Sequence, residues 1–251
     1  MNLADLDDAA LAAHLAAEAG RLLIDVREGA GLAGKALGVA GDAAANRYLC
    51  DALRAARPDD GLLSEEEKDN PARLAKSRVW IVDPVDGTRE YSEGRADWAV
   101  HVALAVDGVP VTGAVALPGL PGEVVLRSDQ PQDLCLMAPR PRFVVSRTRP
   151  PRESEAVAAV LGGELVAMGS AGAKAMAVVR GEAEVYLHAG GQHEWDSCAP
   201  VAVALAHGLH CSRIDGSPLI YNRADTYMPD LLICRREWTE QVLAEIAGLA
   251  G

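Results

Sequence analysis

The sequence predicts an α/β protein (α+β in its antiparallel part) that is built from layers of helices and strands. Two helical patterns come first, strand patterns follow, and beyond residue 150 strands and helices alternate along the chain. Only 4% of the residues are aromatic whereas Ala, Val, Leu and Gly abound, a composition that suits close contacts between layers. Because no Ser/Gly-rich linker divides the 251 residues, we expect one compact unit over residues 1–251, with a boundary between two lobes near residues 139–151.

Two helices are predicted before the first strand. The first covers about residues 8–27, because Asp7 or Asp8 can cap its first turn and apolar residues recur at helical spacing, at Leu11, Leu15, Leu22 and Val26. The second runs from Asp42 to the stop at Arg57-Pro58, since the residue before a proline disfavours helical backbone.

Strand patterns dominate the next part of the chain. Apolar runs rich in valine predict strands over residues 79–82, 100–106 and 111–117. Asp107-Gly108 joins the last two runs and is a strong hairpin signal, so these strands should pair antiparallel.

Strands and helices alternate in the remainder. A short apolar run at 143–145 lies within the Pro- and Arg-rich boundary. Beyond it the patterns predict three strands, each followed by a helix. A strand over 165–168 precedes a helix over about 171–180, and a strand over 184–187 precedes a helix from the Trp195-Asp196 turn through Val203. A strand over 231–234 precedes a last helix near 238–249.

Composition excludes several classes of protein. The formal net charge of −12 repels polyanions, so we expect neither a nucleic acid polymer nor a membrane as partner. The first residues are acidic where a signal peptide would be basic, and no apolar run approaches the roughly 18 residues of a membrane span, so a soluble, cytoplasmic protein is expected. Free thiols are expected rather than disulfides or a zinc site, because the five cysteines are far apart and odd in number: Cys50, Cys135, Cys198, Cys211 and Cys234.

The segment Asp83-Pro84-Val85-Asp86-Gly87-Thr88 directly follows the apolar run 79–82. Carboxylates three residues apart, on a turn that Pro84 stiffens and Gly87 permits, can converge on a hard cation such as Mg²⁺. Taken alone, Asp-Pro and Asp-Gly are also ordinary turn dipeptides.

Two further acidic segments accompany this motif. Glu65-Glu66-Glu67 follows the apolar pair Leu62-Leu63, and Asp196 stands at the start of a predicted helix. Each has a structural alternative: the glutamates as a solvated acidic face, and Asp196 as the N-cap of its helix. Jointly these alternatives are weak, because three separate segments place acids at the ends of apolar elements.

These segments, with Asp42 ahead of them, resemble the signature of the Mg²⁺-dependent, lithium-sensitive phosphatases of the inositol monophosphatase-like superfamily. The resemblance rests on Ser64-Glu65-Glu66, the Asp83–Thr88 motif and Trp195-Asp196-Ser197-Cys198-Ala199-Pro200, in that order and spacing. It implies a layered α/β/α/β/α sugar-phosphatase fold, with mixed and antiparallel sheets in two lobes, and a homodimer.

The same resemblance assigns roles to individual residues. Glu65, Asp83 and the backbone carbonyl of Val85 would hold one Mg²⁺, and Asp83, Asp86 and Asp196 a second. A metal-activated water would be oriented by Glu65 and Thr88. Asp42 would polarise the Thr88 hydroxyl and help a third, weaker Mg²⁺, or it could be only the N-cap of the second helix.

Substrate contacts are assigned to loops and helix starts. The candidates are Asp86, Gly87, Thr88, Ser146, Arg147, Gly169, Ser170, Ala171, Lys174 and Asp196. Gly87 and Thr88 offer backbone N–H groups to a phosphate. Arg147 or Arg149 could meet a second phosphate, whereas Gly169-Ser170 could also be an ordinary Ser-capped helix start. His188 and His193 are expected near the pocket and not on a metal.

Three features favour the branch of 3′(2′),5′-bisphosphate nucleotidases, also called CysQ-type. They are Ser64 before the acids, the Ser146-Arg147 segment and Lys174. The resemblance then implies hydrolysis of the 3′-phosphate of 3′-phosphoadenosine 5′-phosphate to AMP and phosphate, with a role in sulfate assimilation. Two alternatives stay open. One is broader activity on fructose 1,6-bisphosphate or inositol 1-phosphate, and the other is a catalytically silent module that binds metal or nucleotide.

Overall fold

The computed structural model describes residues 2–134 and 138–249, and these form the layered α/β protein that the sequence predicts. The helices are α1 (Asp8–Gly29), α2 (Gly34–Ala56), α3 (Thr88–Ser92), α4 (Arg152–Val160), α5 (Ala171–Val179), α6 (Glu194–Ala206) and α7 (Thr239–Leu249). Short 3₁₀ turns lie at Leu3–Asp5, Pro71–Ala75 and Arg236–Trp238.

The first sheet precedes the predicted boundary at residues 139–151. Its strands are hydrogen bonded in chain order: β1 (Gly61–Ser64), β2 (Arg78–Asp86), β3 (Ala99–Val106), β4 (Val109–Leu117) and β5 (Val124–Arg127). β1 is parallel to β2 and the other pairs are antiparallel. The predicted Asp107-Gly108 hairpin is confirmed, and both residues have the positive φ that a tight hairpin turn requires.

The second sheet begins within residues 139–151 and is also mixed. Its strands are β6 (Arg142–Ser146), β7 (Glu164–Met168), β8 (Val185–His193), β9 (His210–Ser212) and β10 (Tyr227–Cys234), in the spatial order β7-β6-β8-β10-β9. β6 runs parallel to β7 and β8, whereas β10 is antiparallel to its neighbours.

Three apolar cores hold five layers together. Successive residues of a strand point to opposite faces, so Trp80 and Val82 join the core with α1 and α2, whereas Val79 and Ile81 join the core with α5 and α6. The second sheet packs one face against α5 and α6 and the other, through Phe143, against α4 and α7. Each fully buried large apolar side chain contributes roughly 1.5–3 kcal/mol, so the α/β/α/β/α order is set by which face of each strand is apolar.

The second helix starts earlier than predicted. It begins at Gly34 and not at Asp42, so Asp42 lies in mid-helix and cannot be its N-cap. Residues 34–41 include three weakly helical glycines, which hid the true start. Two of them are needed for packing: a Cβ on Gly38 would lie 2.9 Å from Thr88 Cγ2, and one on Gly41 would lie 2.6 Å from Tyr91 Cε1.

The thiol prediction holds for the described residues. Cys50, Cys198, Cys211 and Cys234 are free, whereas Cys135 lies outside the described residues. Within residues 2–134 and 138–249, no helix combines the length and the apolar character that crossing a membrane would need.

Candidate active site

The first acidic pair lies at one edge of the first sheet. Because β1 and β2 are parallel and Ser64 pairs with Val82, their carboxyl ends meet, and Glu65 and Asp83 follow at equivalent positions. The Glu65 backbone N–H still donates to Val82 O at 3.4 Å. The glutamate run is therefore more than a solvated face, since its first member lies beside the aspartates.

An irregularity in β2 turns Asp86 toward the same side. Asp83 pairs with His101 and Asp86 with Ala99, so three steps on β2 oppose two on β3. An extra residue of this kind shifts the alternation of side chains. Val85 thus lies in the core with α1 and α2 and not on the side of Asp83, whereas Asp86 joins Asp83.

Asp196 reaches the site from α6. The helix begins at Glu194, three residues earlier than an Asp196 N-cap would require, and Pro200 lies inside it. Asp196 is the third helical residue, and its carboxylate accepts a hydrogen bond from the His193 backbone N–H at 2.5 Å. It therefore caps the chain from within the helix while it faces the other acids.

Asp83, Asp86 and Asp196 can each place one carboxylate oxygen within 4.8 Å of the others. Burial and the charges of Glu65 and Asp86 raise the pKa of Asp83 well above its usual value. Burial and Asp86 raise the pKa of Asp196 to about 6, and burial and Asp196 raise that of Glu65 to about 7, although part of Glu65 remains exposed. Oxygen ligands that repel one another in this way fit a divalent cation.

Asp86 differs from the other acids. Burial alone would raise its pKa, but the His101 ring and hydrogen bonds from Ser170 and Gly172 outweigh burial and lower it to about 2. The Ser170 hydroxyl donates to Oδ2, as does the Gly172 N–H at 2.5 Å. Ser170 Oγ also accepts from Ala173 N at 3.0 Å, so Ser170 both caps α5 and holds Asp86.

Thr88 opens the short helix α3 behind the acids. Gly87 precedes it with φ +87°, and a Cβ there would come 3.0 Å from Ser170 Cβ. The Thr88 hydroxyl lies 3.1 Å from Val85 O and 3.3 Å from Asp42 Oδ1. Burial and the charge of Glu66 raise the pKa of Asp42 to about 6.

A cleft of about 460 Å³ lies over the acids and is lined by all the predicted substrate residues except Thr88. A larger groove of about 690 Å³ lies between α1 and the turn after β4, but it lacks the convergent carboxylates. The cleft over the acids is therefore the candidate active site.

Two predicted cations of this cleft already have partners. Lys174 is buried, and its ammonium group donates to the Ser170 carbonyl and to Gly169 O at 2.9 Å. Burial lowers its pKa to about 8. Arg147 forms an ion pair with Asp97 and lies 3.6 Å from Glu90.

Sequence reasoning missed Arg89 in the cleft and His101 behind it, whereas Arg149 had been named as a candidate for the second phosphate. Arg89 and Arg149 line the cleft with exposed side chains, and within the described chain neither has an ion-pair partner. His188 and His193 line the cleft, as expected, and the rings of His193 and Trp195 stack at its margin with centres 4.7 Å apart. Behind the acids lies His101, which nothing in its apolar strand pattern had marked.

Comparison with known proteins agrees with this geometry. The model of the inositol monophosphatase family matches residues 8–249. The chain belongs to this family.

Individual relatives narrow the comparison. The chain is 52% identical over 248 residues to a 3′-phosphoadenosine 5′-phosphate phosphatase of Mycobacterium leprae, a match that covers 93% of this chain and 91% of the relative. It is 29% identical to the 3′(2′),5′-bisphosphate nucleotidase CysQ of Escherichia coli K12, over 75% of this chain and 81% of the relative. The crystal structure of CysQ from Bacteroides thetaiotaomicron superposes with a TM-score of 0.74 at 25% identity, covering 88% of this chain and 94% of that one.

Proposed function

We propose that this protein is a Mg²⁺-dependent phosphomonoesterase that hydrolyses the 3′-phosphate of 3′-phosphoadenosine 5′-phosphate to AMP and phosphate. The observation that carries the proposal is the convergence of Asp83, Asp86 and Asp196, with Glu65 beside Asp83, beneath a cleft that is lined by cations. The name of the Mycobacterium leprae relative, at 52% identity, supports this substrate.

The residues present fit Mg²⁺. Glu65, Asp83 and Val85 O would hold one ion and Asp83, Asp86 and Asp196 a second, with Asp42 near a third, weaker site. When bound, the ions would supply charge neutralisation for the phosphate and for both oxygens of an in-line displacement. The raised pKa values of Glu65, Asp83 and Asp196 support this assignment, because a cation relieves their mutual repulsion.

Protein groups would handle the proton of the attacking water. Glu65 lines the cleft beside the position of the metal ions, and its carboxylate would accept this proton. The Thr88 hydroxyl has one proton, and two oxygen acceptors lie near it, Val85 O and Asp42 Oδ1. If Val85 O binds a metal ion, the hydroxyl would donate its hydrogen bond to Asp42. The hydroxyl oxygen can then accept from the water and orient it.

Bond changes follow from this arrangement. Water oxygen bonds to phosphorus, one water proton goes to Glu65, and the bond between phosphorus and the 3′-oxygen breaks. The 3′-oxygen takes up a proton from solvent or from Glu65, so the products are AMP and inorganic phosphate. The N–H groups of Gly87 and Thr88 would hold the phosphate being cleaved.

The second phosphate needs cations, because the protein carries a net charge of −12. The residues that would surround this phosphate are Ser146, Arg147, Gly169, Ser170, Ala171 and Lys174. Arg147 is neutralised by Asp97 and Lys174 is tied to carbonyls, so the exposed Arg89 and Arg149 would contribute most of the added attraction.

A parallel assay tests the proposal. Phosphate release from 3′-phosphoadenosine 5′-phosphate, fructose 1,6-bisphosphate and inositol 1-phosphate would be measured with Mg²⁺ and with EDTA. We expect metal-dependent turnover with the nucleotide preferred. Preference for either sugar phosphate would favour the broader phosphatase, and binding without release would favour a silent binding module.

Three further expectations stay predictions. The homodimer can be tested by sedimentation velocity, the cytoplasmic location by fractionation, and the role in sulfate assimilation by growth of a deletion strain on sulfate.

A further inference from the structure

His101 is a fully buried imidazole directly behind the acidic cluster, and the proposed reaction makes no use of it. It lies on β3 opposite Asp83. A buried polar ring is costly unless its nitrogens have partners. Its neighbours on the same face of β3, Ala99 and Ala103, are small and apolar, so the histidine stands out from its strand.

Both ring nitrogens face groups of the site. Nδ1 lies 3.0 Å from the carbonyl oxygen of Trp195, the residue before Asp196. Nε2 lies 3.3 Å from Asp86 Oδ2, a contact that is an ion pair when the ring is protonated, although Nε2 makes no hydrogen bond to any described residue. The ring therefore connects the irregular end of β2 to the first turn of α6.

The surroundings leave room for this ring and little else. A Cβ on Gly172 would lie 2.0 Å from His101 Nε2 and 3.0 Å from Asp86 Oδ2. Gly172 thus permits both the imidazole and its own N–H to approach the carboxylate.

The two oxygens of Asp86 are held unequally. Oδ2 accepts from the Ser170 hydroxyl and the Gly172 N–H and also contacts His101, whereas Oδ1 accepts one hydrogen bond, from Ala171 N at 3.0 Å. Oδ1 is the oxygen with more capacity left for a cation.

We propose that His101 is a positioning residue that holds Asp86 Oδ2 through Nε2 and so presents Oδ1 to the metal ion. The inference rests on the metal site of the proposed function. Groups that orient metal ligands from behind typically account for 10- to 100-fold in metal affinity.

Two neutral variants separate the two contacts of the ring. The amide of His101→Gln can replace Nε2 and keep the Asp86 contact, whereas that of His101→Asn replaces Nδ1 and keeps only the Trp195 contact. His207→Asn is the matched control, because His207 is also buried and also pairs its Nδ1 with a backbone carbonyl, Val203 O at 2.8 Å. Mg²⁺ binding to each purified full-length variant would be measured by calorimetry, with thermal unfolding alongside.

We expect the Kd for Mg²⁺ to rise about tenfold in His101→Asn and to stay within about threefold of wild type in His101→Gln and His207→Asn. Equal affinities in all variants, or equal losses in both His101 variants, would overturn the proposal, even if unfolding temperatures fall. If the wild-type protein itself binds no Mg²⁺, the proposed function fails first, so the two failures can be distinguished.

Discussion

At the residue scale, the four carboxyl groups of the site differ in how readily they lose a proton. Asp86 has a lowered pKa because His101, Ser170 and Gly172 stabilise its charge, whereas Asp83 has a raised pKa because burial and neighbouring acids oppose ionisation. A neutral substitution should therefore cost folding energy at Asp86 and little at Asp83.

We predict that Asp83→Asn, Asp86→Asn and Asp196→Asn each abolish Mg²⁺-dependent phosphate release, because an amide is an uncharged, poorer ligand for a hard cation. The free energy of unfolding without metal distinguishes Asp83→Asn from Asp86→Asn. Asp83→Asn should leave the free energy of unfolding unchanged or higher, and Asp86→Asn should lower it by about 1.5–3 kcal/mol. Near-normal activity in any variant would remove that residue from the metal site.

The second phosphate provides a test by substrate subtraction. Arg149→Ala and Arg89→Ala should each lower kcat/KM for 3′-phosphoadenosine 5′-phosphate about tenfold more than that for 3′-AMP, which lacks the 5′-phosphate. Arg147→Ala should be less selective because Asp97 already neutralises Arg147. Lys174→Ala should impair both substrates, because Lys174 holds the turn that contacts Asp86.

The control for these arginine variants is Arg152→Ala, which removes an exposed arginine at the start of α4, outside the cleft. Equal losses on both nucleotides in the Arg89 and Arg149 variants would show that these side chains do not contact the 5′-phosphate.

Inhibition by Li⁺ at millimolar or lower concentration is a third expectation at this scale. A small monovalent cation can occupy a Mg²⁺ position among Asp83, Asp86 and Asp196 without supplying its charge. Phosphate release would be measured at limiting Mg²⁺ against an equal concentration of Na⁺. Undiminished activity in high Li⁺ would argue against a site of this kind.

Sequence patterns identified the acidic residues of the site but not the residues that contact and orient them. Glu65, Asp83, Asp86 and Asp196 could be found because each directly follows or opens an apolar element. His101 could not be found, because one histidine inside the apolar run 100–106 carries no periodic signal. The partners of Lys174 and Arg147 depend on contacts between segments that are distant in sequence.

At the element scale, close approach of helices to the first sheet positions the site. α6 carries Asp196 and lies against β4 at Gly113, where a Cβ would come 2.6 Å from Ala199 O and 2.8 Å from Ala202 Cβ. The predicted strand over 111–117 contained this glycine, but its role depends on α6, which lies more than 80 residues later in the chain. The late start of the predicted second helix has the same origin, since Gly38 and Gly41 serve packing against α3.

We predict that Gly113→Ala lowers the free energy of unfolding by about 1–3 kcal/mol, because the methyl group must push α6 away from β4. The displacement should also weaken Mg²⁺ binding through Asp196. Gly29→Ala is the control, since its Cβ would meet nothing within 4 Å. If Gly113→Ala matched Gly29→Ala in denaturant unfolding, the spacing of α6 and β4 would not be as tight as described.

At the scale of the whole molecule, the site lies where the first sheet, the middle helices α5 and α6 and the second sheet meet. A layered arrangement of helices and strands could be predicted because apolar runs and turns mark most strands, whereas the five-layer order was implied only by the family resemblance. The short strands β5 and β9 and the helix α4 were missed, since each has only a few apolar residues and depends on its neighbours for burial. The charge cluster at this junction makes global stability depend on pH and metal together.

The sign of this dependence follows from the direction of the shifts. Acids in an unfolded chain ionise near pH 4, whereas Glu65, Asp196 and Asp42 keep protons in the folded, metal-free protein up to about pH 6–7. Between about pH 4 and 7 the folded state therefore binds more protons, so the stability contributed by these groups is present below pH 4 and is lost as pH rises. The lowered pKa of Asp86 acts only below about pH 4, outside this window.

Histidines contribute in both directions within the same window. The pKa of His101 is raised and adds to the loss of stability with rising pH, whereas those of His188 and His210 are lowered and oppose it. The informative quantity is therefore the difference between wild type and Glu65→Gln, which removes one raised acid and leaves the histidines in place.

We predict that, in EDTA, the unfolding temperature of wild type minus that of Glu65→Gln decreases as the pH rises from 5 to 8. Mg²⁺ should raise the unfolding temperature of wild type most at pH 8, because the cation replaces protons that the acids have already lost. Near pH 6, Mg²⁺ binding should release protons into a weak buffer. Thermal unfolding at pH 5, 6, 7 and 8, with EDTA and with Mg²⁺, measures both effects. A constant difference between the two proteins across this range would mean that Glu65 ionises in the fold as it does in the unfolded chain, and that the acids do not repel one another as their positions imply.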